Sequence, residues 1–408
     1  MGKKATLFLL YGLSIVLTIV LAVLTILALH IGKFLFHENT VTAFIGLLLP
    51  ILILLNICYF IYWIIRRRWL ICLIPLIAVA LSYSYVATFY RLGKQPAPAL
   101  VQQKEATENI RVLTYNTHMF VTRGNPESNS RQLVDFLNTQ NIDIACFQEY
   151  DNPAKRRDSL AKIFDSFPYS VSNRNNKANK ELATYSKYPI LDSKYVEYPF
   201  SDVGYMQSTI ALYPADKIKQ QINSAMEKHT LTADSTLHLY RIKDSLTRVI
   251  TDSLVNLSKK IIVITTHLQT TGVSTTSHEV EKIKSNGQTI ANTDVAEIMT
   301  IRMGTSYKMR AQQINILAQV IDKAEYPVIL CGDFNDTPLS YVYNQAANRL
   351  TDGFTESGHG YMYTFRYFKK ILRIDYIFHS KDFKSVKYYS PNKEWSDHNP
   401  VISELKLL

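Results

Sequence analysis

The hydrophobic pattern divides the chain into an apolar N-terminal part and a longer part in which short apolar runs alternate with polar segments. Three apolar stretches come first, at residues 5–31, 41–65 and 69–90, and almost no charge interrupts them. Each reaches the roughly 20 residues that a helix needs to cross a bilayer core. A single uncleaved signal peptide does not explain three such stretches, and no small-residue cleavage site follows the first. We therefore expect three transmembrane helices rather than three buried helices of a soluble protein.

Beyond about residue 105 the apolar runs become shorter and have the periods of strands and of amphipathic helices. Residues 129–140 and 307–323 are predicted helices. The predicted strands are residues 110–118, 142–149, 181–190, 206–213, 261–269, 326–335 and 373–380, and the segment VISELKLL closes the chain.

A Pro-, Ala- and Gln-rich stretch between the two parts is typical of a linker. It defines a transmembrane region at residues 1–92, a linker at 93–109 and a larger domain at 110–408. Two polar segments, at about 215–260 and 270–305, lack apolar periodicity and are predicted insertions. They are either solvated excursions from the core or a substrate-shaping lid or partner-docking surface, and the first interpretation is favoured.

The net charge of +11 at first favours a polyanion or an anionic surface as partner. Its distribution changes that interpretation, because residues 1–99 carry eight basic residues and one acidic residue. The other 309 residues carry 37 basic and 33 acidic residues, which is a net charge of only +4. The larger domain therefore lacks a strong electrostatic signature of nucleic-acid binding.

Charged residues beside the apolar stretches predict the orientation of the chain. Lys3 and Lys4 precede the first stretch, and the arginines at 66–68 separate the second from the third. The positive-inside rule places both groups in the cytoplasm, although Arg91 and Lys94 weakly oppose this orientation. In a bacterial cell the chain would be a multi-pass protein of the inner (cytoplasmic) membrane, with the larger domain on the extracytoplasmic side.

The four cysteines are Cys58, Cys72, Cys146 and Cys331. No pair has the spacing of a metal site, and no disulfide framework is indicated. We expect all four to pack in apolar interiors.

Polar side chains stand at the ends of the predicted strands. Five of them end or follow an apolar run, and they are Asn116, Glu149, His267, Asp333 and Asn335. Asp375 lies in a later strand, and Asp397 and His398 lie in a loop near the C-terminus. Burying such groups without a role costs free energy, so a shared site on the rim of an apolar core explains them best.

The residue types suit phosphoryl chemistry. Glu149 and Asp397 offer hard oxygen ligands, which suit Mg²⁺ or Mn²⁺. A carboxylate such as Asp333 can accept a proton from an attacking water, and histidines can hydrogen-bond to a phosphate or neutralise its charge. Asp375 paired with His398 would fix the tautomer of the imidazole. Taken singly, each residue is more often a turn, a cap or a satisfied polar group, so only their joint occurrence favours a site.

The motifs that carry these residues are, in chain order, TYNTH, CFQE, TTHLQ, GDFND, RIDYIF and SDHNPV. From about residue 110 to the end, the chain resembles the endonuclease/exonuclease/phosphatase superfamily, which includes deoxyribonuclease I and the abasic-site endonucleases. The resemblance implies an α/β fold, namely a four-layered α/β sandwich of the deoxyribonuclease I type. In that fold two mixed sheets pack face to face, and here three transmembrane helices would precede it.

The resemblance also implies the metal site. Glu149 would hold the metal ion, with Asn116 and Asp397 near it. Mg²⁺ or Mn²⁺ would be the cofactor.

The remaining motif residues take catalytic roles by the same resemblance. Asp333 would position or deprotonate the attacking water, and Asn335 would orient the phosphate. His267 and His398 would contact the phosphate, and Asp375 would orient His398.

Five further positions match or depart from the family pattern. Arg310 and Gln313 resemble its R-x-x-Q helix, for which packing explains the pattern better than chemistry does. Glu181 stands where a small residue is common, and Tyr185 and Ser186 lie near positions that line the cleft in relatives, with no role assigned.

The implied activity is phosphoester hydrolysis by a metal-dependent nuclease, phosphodiesterase or phosphatase. The substrate is either nucleic acid outside the cytoplasm or a lipid head group or small phosphate ester. The membrane anchor and the near-neutral domain favour the second slightly. A non-catalytic membrane-bound binding domain of the same fold is disfavoured, because no motif residue is lost. The sequence leaves the oligomeric state open.

Overall fold

The computed structural model describes most of the chain. The described residues are 2–30, 40–93, 108–120, 126–150, 166–173, 181–213, 220–225, 245, 249–250, 252–254, 256–272, 280, 282, 285–286 and 291–408. Most of the predicted linker at 93–109 lies outside them. Much of the predicted insertion at 215–260 and much of the first half of that at 270–305 also lie outside them.

The chain divides into two compact units, each with its own buried apolar cluster. The first, called the helical unit, consists of Met1–Leu92, Gln269–Gln319 and Asn335–Asn348. The second, called the sheet unit, consists of Gly93–Leu268, Val320–Phe334 and Arg349–Leu408.

The helices whose bounds lie within the described residues are α1 (Lys3–His30), α2 (Thr40–Ile65), α3 (Trp69–Leu81), α4 (Tyr83–Val86), α5 (Pro126–Thr139), α6 (Asn292–Asp322), α7 (Tyr341–Ala347) and α8 (Gly353–Ser357), and the described residues 220–225 are also helical. Short 3-10 turns occur at His118–Phe120 and Phe368–Lys370. Helix α6 begins about four turns before the predicted start at residue 307. Its first turns are rich in hydroxyl and charged residues, so they show no apolar stripe.

The strands are β1 (Ile110–Asn116), β2 (Ile144–Gln148), β3 (Tyr169–Ser172), β4 (Ala183–Ser186), β5 (Ile190–Glu197), β6 (Gly204–Ala211), β7 (Lys260–His267), β8 (Val328–Asp333), β9 (Thr351–Asp352), β10 (Asp375–His379), β11 (Phe383–Tyr389) and β12 (Val401–Leu407). Two further strands of two residues are Tyr90–Arg91 and Gly360–Tyr361.

Two six-stranded mixed sheets form the sheet unit. The strand order is β9-β10-β8-β7-β6-β5 in the first sheet and β11-β12-β1-β2-β4-β3 in the second. Each sheet contains one parallel pair near its centre, β7 with β8 and β1 with β2, and the other pairs are antiparallel. The pattern of the sequence missed β3, β5, β9 and β11, which are the edge strands of these two sheets, and no strand was predicted for β12. An edge strand is partly exposed, so no continuous apolar run marks it.

The two sheets pack face to face. One buried cluster combines side chains of both, among them Val112, Cys146, Val263, Cys331 and Ile377. On the outer face of the second sheet, α5 packs through a stripe of apolar residues. The predicted α/β fold, with two facing mixed sheets and helices outside them, is therefore confirmed.

The expectation that all four cysteines pack in apolar interiors was wrong for one of them. Cys72, Cys146 and Cys331 are buried, whereas Cys58 lies on an exposed face of α2. That helix is apolar all round, so its sequence does not indicate which face is covered.

Three segments of the helical unit are long and apolar enough to cross a membrane, and they are Thr6–His30, Leu48–Ile65 and Trp69–Val86. Large apolar side chains are exposed along them, such as Phe8 and Leu70. Water would make this exposure unfavourable, whereas lipid chains would cover it. The segments indicate that the chain is anchored in a membrane.

Polar side chains join α1 to α2 inside this bundle. Asn56 donates from Nδ2 to Thr25 Oγ1 over 2.8 Å, and Trp63 donates from Nε1 to Thr18 Oγ1 over 2.8 Å. All four residues are buried. Interhelical hydrogen bonds of this kind fix which helix faces meet when both helices are apolar all round.

One residue from a later segment packs on the end of the bundle where α1 ends and α2 begins. Leu339 forms a buried cluster with Ala28, Leu49 and Ile53. It precedes α7, whose N-cap Ser340 accepts a hydrogen bond from the backbone N–H of Tyr343.

A fully buried ion pair joins β1 to β12 in the sheet unit. Arg111 and Glu404 are directly opposite each other in these strands, and Arg111 Nη2 lies 2.6 Å from Glu404 Oε2. Asn109 donates to the other carboxylate oxygen over 2.8 Å, and Arg111 Nη1 donates to the backbone carbonyl of Gln140. The pair is thus desolvated but hydrogen-bonded.

Glu404→Ala should lower the free energy of unfolding by about 3–5 kcal/mol, because it leaves the guanidinium of Arg111 buried without its charge partner. Urea titration of the detergent-solubilised full chain measures this loss. As a control, Asp322→Ala removes a half-exposed partner of Arg349 and should cost less than about 1 kcal/mol. Equal losses in the two variants would contradict the burial argument.

Candidate active site

Three neighbouring strands of the first sheet place three predicted site residues side by side, at the same position along the strands. Asp375 of β10 is paired with Asp333 of β8, and His267 of β7 is paired with Asp333 on the other side. All three side chains are buried. Apolar residues in the same strands fix this register, because a shift by one position would turn their side chains to the opposite face.

The second sheet supplies the other site residues of the sheet unit. Asn116 ends β1, Glu149 follows β2, and Asp397 and His398 precede β12. The backbone of Glu149 is left-handed, with φ of 48°, and so is that of His118, with φ of 44°. This conformation costs free energy for a residue other than glycine and is concentrated at functional sites.

Three side chains converge on one oxygen of Asp333. Asn116 donates from Nδ2 to Asp333 Oδ2 over 3.0 Å. His267 Nε2 lies 3.6 Å and His398 Nε2 lies 3.7 Å from the same oxygen. The carboxylate is 1% exposed, so these groups replace the water that a charged carboxylate needs.

Glu149 lies beside this group and is less buried. Its Oε1 lies 3.3 Å from Asn116 Nδ2 and 3.7 Å from His267 Nε2. The amide nitrogen of Asn116 therefore faces two carboxylates, while its oxygen accepts the backbone N–H of His118. Asn116 holds the two acidic side chains close together.

His398 forms a pair with Asp375. Its Nδ1 lies 2.9 Å from Asp375 Oδ2, which leaves Nε2 directed at Asp333. Burial alone would lower the pKa of His398, but the charges of Asp375, Asp333 and Asp397 and the hydrogen bond to Asp375 raise this pKa well above its usual range. These carboxylates therefore favour the positively charged form of the imidazole.

Asp397 is held by residues that the sequence analysis did not single out. Ser396 Oγ lies 2.8 Å from the backbone carbonyl of Asn116 and 3.1 Å from Asp397 Oδ1, so its one hydroxyl proton can be donated to either oxygen. His118 Nδ1 lies 3.5 Å from Asp397 Oδ1. Both residues stand inside the motifs TYNTH and SDHNPV, and their polar side chains beside assigned residues were the available signal.

Thr364 is another residue that sequence reasoning missed. Its hydroxyl oxygen accepts the backbone N–H groups of Ile374 and Asp375 over 2.9 and 3.1 Å, and its carbonyl accepts that of Asn399 over 2.7 Å. Thr364 thereby ties the start of β10 to the loop that contains His398. No motif marks it, because its partners are ten or more positions away.

Asn335 belongs to the helical unit and has left-handed backbone, with φ of 51°. In the same unit Asp336 pairs with Arg310, whose Nε donates over 3.0 Å. Burial raises the pKa of Asp336, and the charge of Arg310 opposes that shift. Gln313 accepts the backbone N–H of Gln269 over 2.9 Å. These contacts agree with an anchoring role for Arg310 and Gln313.

Three residues noted beside the family pattern make packing contacts. The hydroxyls of Tyr185 and Tyr150 lie 2.9 Å apart in an aromatic cluster with Phe147 and Phe167. Ser186 accepts the backbone N–H of Tyr188. The carbonyl of Glu181 accepts the backbone N–H of Tyr150.

The predicted insertion at 215–260 joins β6 to β7 at the far end of these strands. Ala211 is paired with Lys260 at that end, whereas Tyr205 is paired with Thr266 next to His267. The seven-residue span between the two pairs separates the insertion points from the site by about 20 Å.

The donor set can accommodate a divalent cation. Among the described residues, Asp333, Asp375 and His398 form a buried group whose potential ligand atoms lie within 4.8 Å of one another. Glu149 and Asp333 add negative charge around the amide of Asn116, and a cation would relieve their repulsion. Hard carboxylate oxygens are the ligands that Mg²⁺ and Mn²⁺ prefer.

Comparison with known proteins gives matches to both parts of the chain. A sequence model described as the endonuclease/exonuclease/phosphatase family matches residues 113–398. Another, described as a domain of unknown function, matches residues 8–89. The curated proteins contain no match.

Similar solved structures include an endonuclease/exonuclease/phosphatase protein from Bacteroides vulgatus, which is 17% identical with a TM-score of 0.45 over 74% of this chain and 99% of that one. A functionally unknown conserved protein from Enterococcus faecalis is 15% identical, with a TM-score of 0.45 over 73% and 100%. The human Nocturnin catalytic domain with a bound sulfate anion is 14% identical, with a TM-score of 0.44 over 74% and 94%.

Asp375→Asn should lower the pKa of His398, because it removes the strongest charge that opposes desolvation. The charged imidazole stabilises the fold fully below the unfolded pKa of about 6.5, and this stabilisation is lost as the pH rises through the raised folded pKa. The Asp375→Asn variant should lose this stabilisation at a lower pH than the wild-type protein does. NMR titration of the His398 Cε1–H in chelator-treated protein measures the pKa. Asp382→Asn, on an exposed loop, is the control, and an unchanged pKa in Asp375→Asn would refute the assignment.

Proposed function

Because the chain belongs to the endonuclease/exonuclease/phosphatase family, we propose that its sheet unit hydrolyses a phosphoester bond with the help of a divalent metal ion. Members of this family are hydrolases of phosphoester bonds. The observation that carries the proposal is the convergence of Asn116, His267 and His398 on one oxygen of buried Asp333. A binding domain without activity would have no need to bury an acidic side chain between two imidazoles.

Asp333 is the proposed base. Its Oδ2 lies near nitrogen atoms of Asn116, His267 and His398. The carboxylate would orient a water molecule and accept a proton from that water as it attacks phosphorus. Asn116 keeps this carboxylate in position.

The two histidines and Asn335 would stabilise the negative charge that builds on the phosphate oxygens. The carboxylates around His398 raise its pKa and favour its positively charged form, and Asp375 orients the ring, so His398 is suited to this role. His267 approaches the site from the neighbouring strand, and Asn335 follows β8 by two residues.

Glu149 and Asp397, with Asn116 beside them, are the proposed holders of Mg²⁺ or Mn²⁺. The side chains of Glu149 and Asp397 are partly exposed. Asp375 and His398 are less suited to hold the ion, because they already share a hydrogen bond. Such an ion, when bound, neutralises charge on the phosphoryl oxygens.

We further propose that residues 1–92 anchor the protein in the inner membrane as three spans, that 93–109 form a linker, and that 110–408 form the catalytic domain outside the cytoplasm. Lys3, Lys4 and the arginines at 66–68 support this orientation through the positive-inside rule.

Asp333→Asn and His398→Ala should each lower kcat by about 10²–10⁴-fold, because each removes a group that acts on the water or on the phosphate. The assay uses purified full chain with Mg²⁺ or Mn²⁺ and bis(p-nitrophenyl) phosphate, plasmid DNA, RNA and phospholipids. Circular dichroism checks that the fold is kept. Asp192→Asn, on an exposed position of β5, is the control and should retain wild-type activity. Near-wild-type rates in either site variant would exclude the proposed roles.

A cysteine at position 382 should react with a membrane-impermeant maleimide in intact spheroplasts, whereas one at position 67 should react only after lysis. Asp382→Cys and Arg67→Cys are made in a Cys58→Ala background, since the other cysteines are buried. The opposite labelling pattern would reverse the proposed orientation.

A further inference from the structure

Two loops that adjoin the candidate site carry exposed, large apolar side chains. Phe200 is 95% exposed, and Tyr367 and Ile371 are each 55% exposed. Single exposed apolar residues are ordinary on a protein surface. These residues are unusual because both loops are attached to residues that surround Asp333.

The first loop is the turn between β5 and β6. Tyr198 is buried and forms a hydrogen bond through its hydroxyl to Thr266, the residue before His267. The backbone N–H of Tyr198 donates to the carbonyl of Val203 over 3.0 Å, which closes the turn. Phe200 at its tip has left-handed backbone, with φ of 58°. The turn is therefore held beside the site, and the ring of Phe200 is exposed at its tip.

The second loop leads from the site to β10. At its start, the ring of Phe365 meets that of His398 edge-on at 5.1 Å, and the backbone N–H of Arg366 donates to the carbonyl of Asp397. Lys369 and Lys370 follow, both exposed and both left-handed, with φ of 58° and 56°. The loop thus combines two exposed cations with the exposed side chains of Tyr367 and Ile371.

We propose that Phe200 and the segment 367–371, here called the rim loops, contact the anionic surface of the bilayer that holds the chain's own apolar helices. Aromatic and aliphatic side chains favour the interfacial region, and lysines near an anionic lipid surface are attracted to it. The anchor keeps that surface at high effective concentration. The phosphoester presented to the site is then that of a lipid head group. This substrate class rests on the proposed function, whereas the bilayer contact does not.

A fluorescent label tests the contact without any activity measurement. Phe200→Cys and Ile371→Cys are each labelled with an NBD probe in the Cys58→Ala full chain. The protein is reconstituted into phosphatidylcholine vesicles with about 30% phosphatidylglycerol, an anionic lipid. Shallow spin-labelled lipids should quench both probes at least about twofold more than a probe at Leu191→Cys. Leu191 is also exposed but lies at the opposite end of β5. Quenching equal to that of the Leu191 probe would overturn the proposal.

Charge reversal tests what the contact does. The double variant Lys369→Glu/Lys370→Glu should lower the ratio of vesicle-lipid hydrolysis to bis(p-nitrophenyl) phosphate hydrolysis at least about tenfold, and high salt should reduce the wild-type ratio. Lys381→Glu/Lys384→Glu, an exposed pair elsewhere on the sheet unit, should leave the ratio unchanged. The lipid panel contains phosphatidylglycerol, phosphatidylethanolamine, sphingomyelin and a phosphoinositide.

The outcomes separate the two proposals. Quenched probes with no hydrolysis of any phosphoester would support the bilayer contact and refute the proposed function. Hydrolysis of soluble esters or DNA with unquenched probes would keep the function and overturn the contact. Quenched probes with hydrolysis of soluble esters but of no lipid in the panel would overturn the lipid substrate class alone. An equal loss on lipid and soluble substrate in the double variant would also overturn the contact.

Discussion

The buried negative charge of Asp333 is the constraint around which the site is built. A carboxylate that is 1% exposed loses nearly all of its hydration, and the protein must replace it. The replacements come from different elements: Asn116 from the end of β1, His267 from β7 and His398 from the loop before β12. Both sheets therefore have to be assembled before this charge is accommodated. One of these groups is the imidazole of His398, and the carboxylates around it raise its pKa well above the usual range.

Much of this arrangement could be predicted from the sequence, and the limits have a physical origin. Apolar central strands that end in polar residues are visible as local patterns, which is why β1, β2, β7, β8 and β10 were predicted together with the polar residues at their ends. The edge strands, such as β5 and β11, are half exposed and carry no continuous apolar signal. Thr364 was missed for another reason, since its importance lies in backbone partners distant in sequence. The start of α6 was placed too late because its first turns are polar.

For the N-terminal helices too, the composition of the sequence predicts the elements but not the contacts between them. Their length and apolar character follow directly from the sequence. Composition does not reveal which faces meet, because helices that are apolar all round have no stripe to indicate a partner. Asn56 and Trp63 settle the question in the structure, since each hydrogen-bonds to a threonine of α1 inside the bundle. A few polar atoms thus specify the packing of an otherwise uniform surface.

The connection between β6 and β7 has a practical consequence. It leaves the first sheet at Ala211 and returns at Lys260, whereas His267 lies at the other end of the same strand pair. Length at that connection can change without displacing any strand end that bears a site residue, because the ladder between the two ends fixes the register. The connection is therefore a suitable place to splice in a reporter domain. A fluorescent protein inserted there would leave the candidate site residues in place.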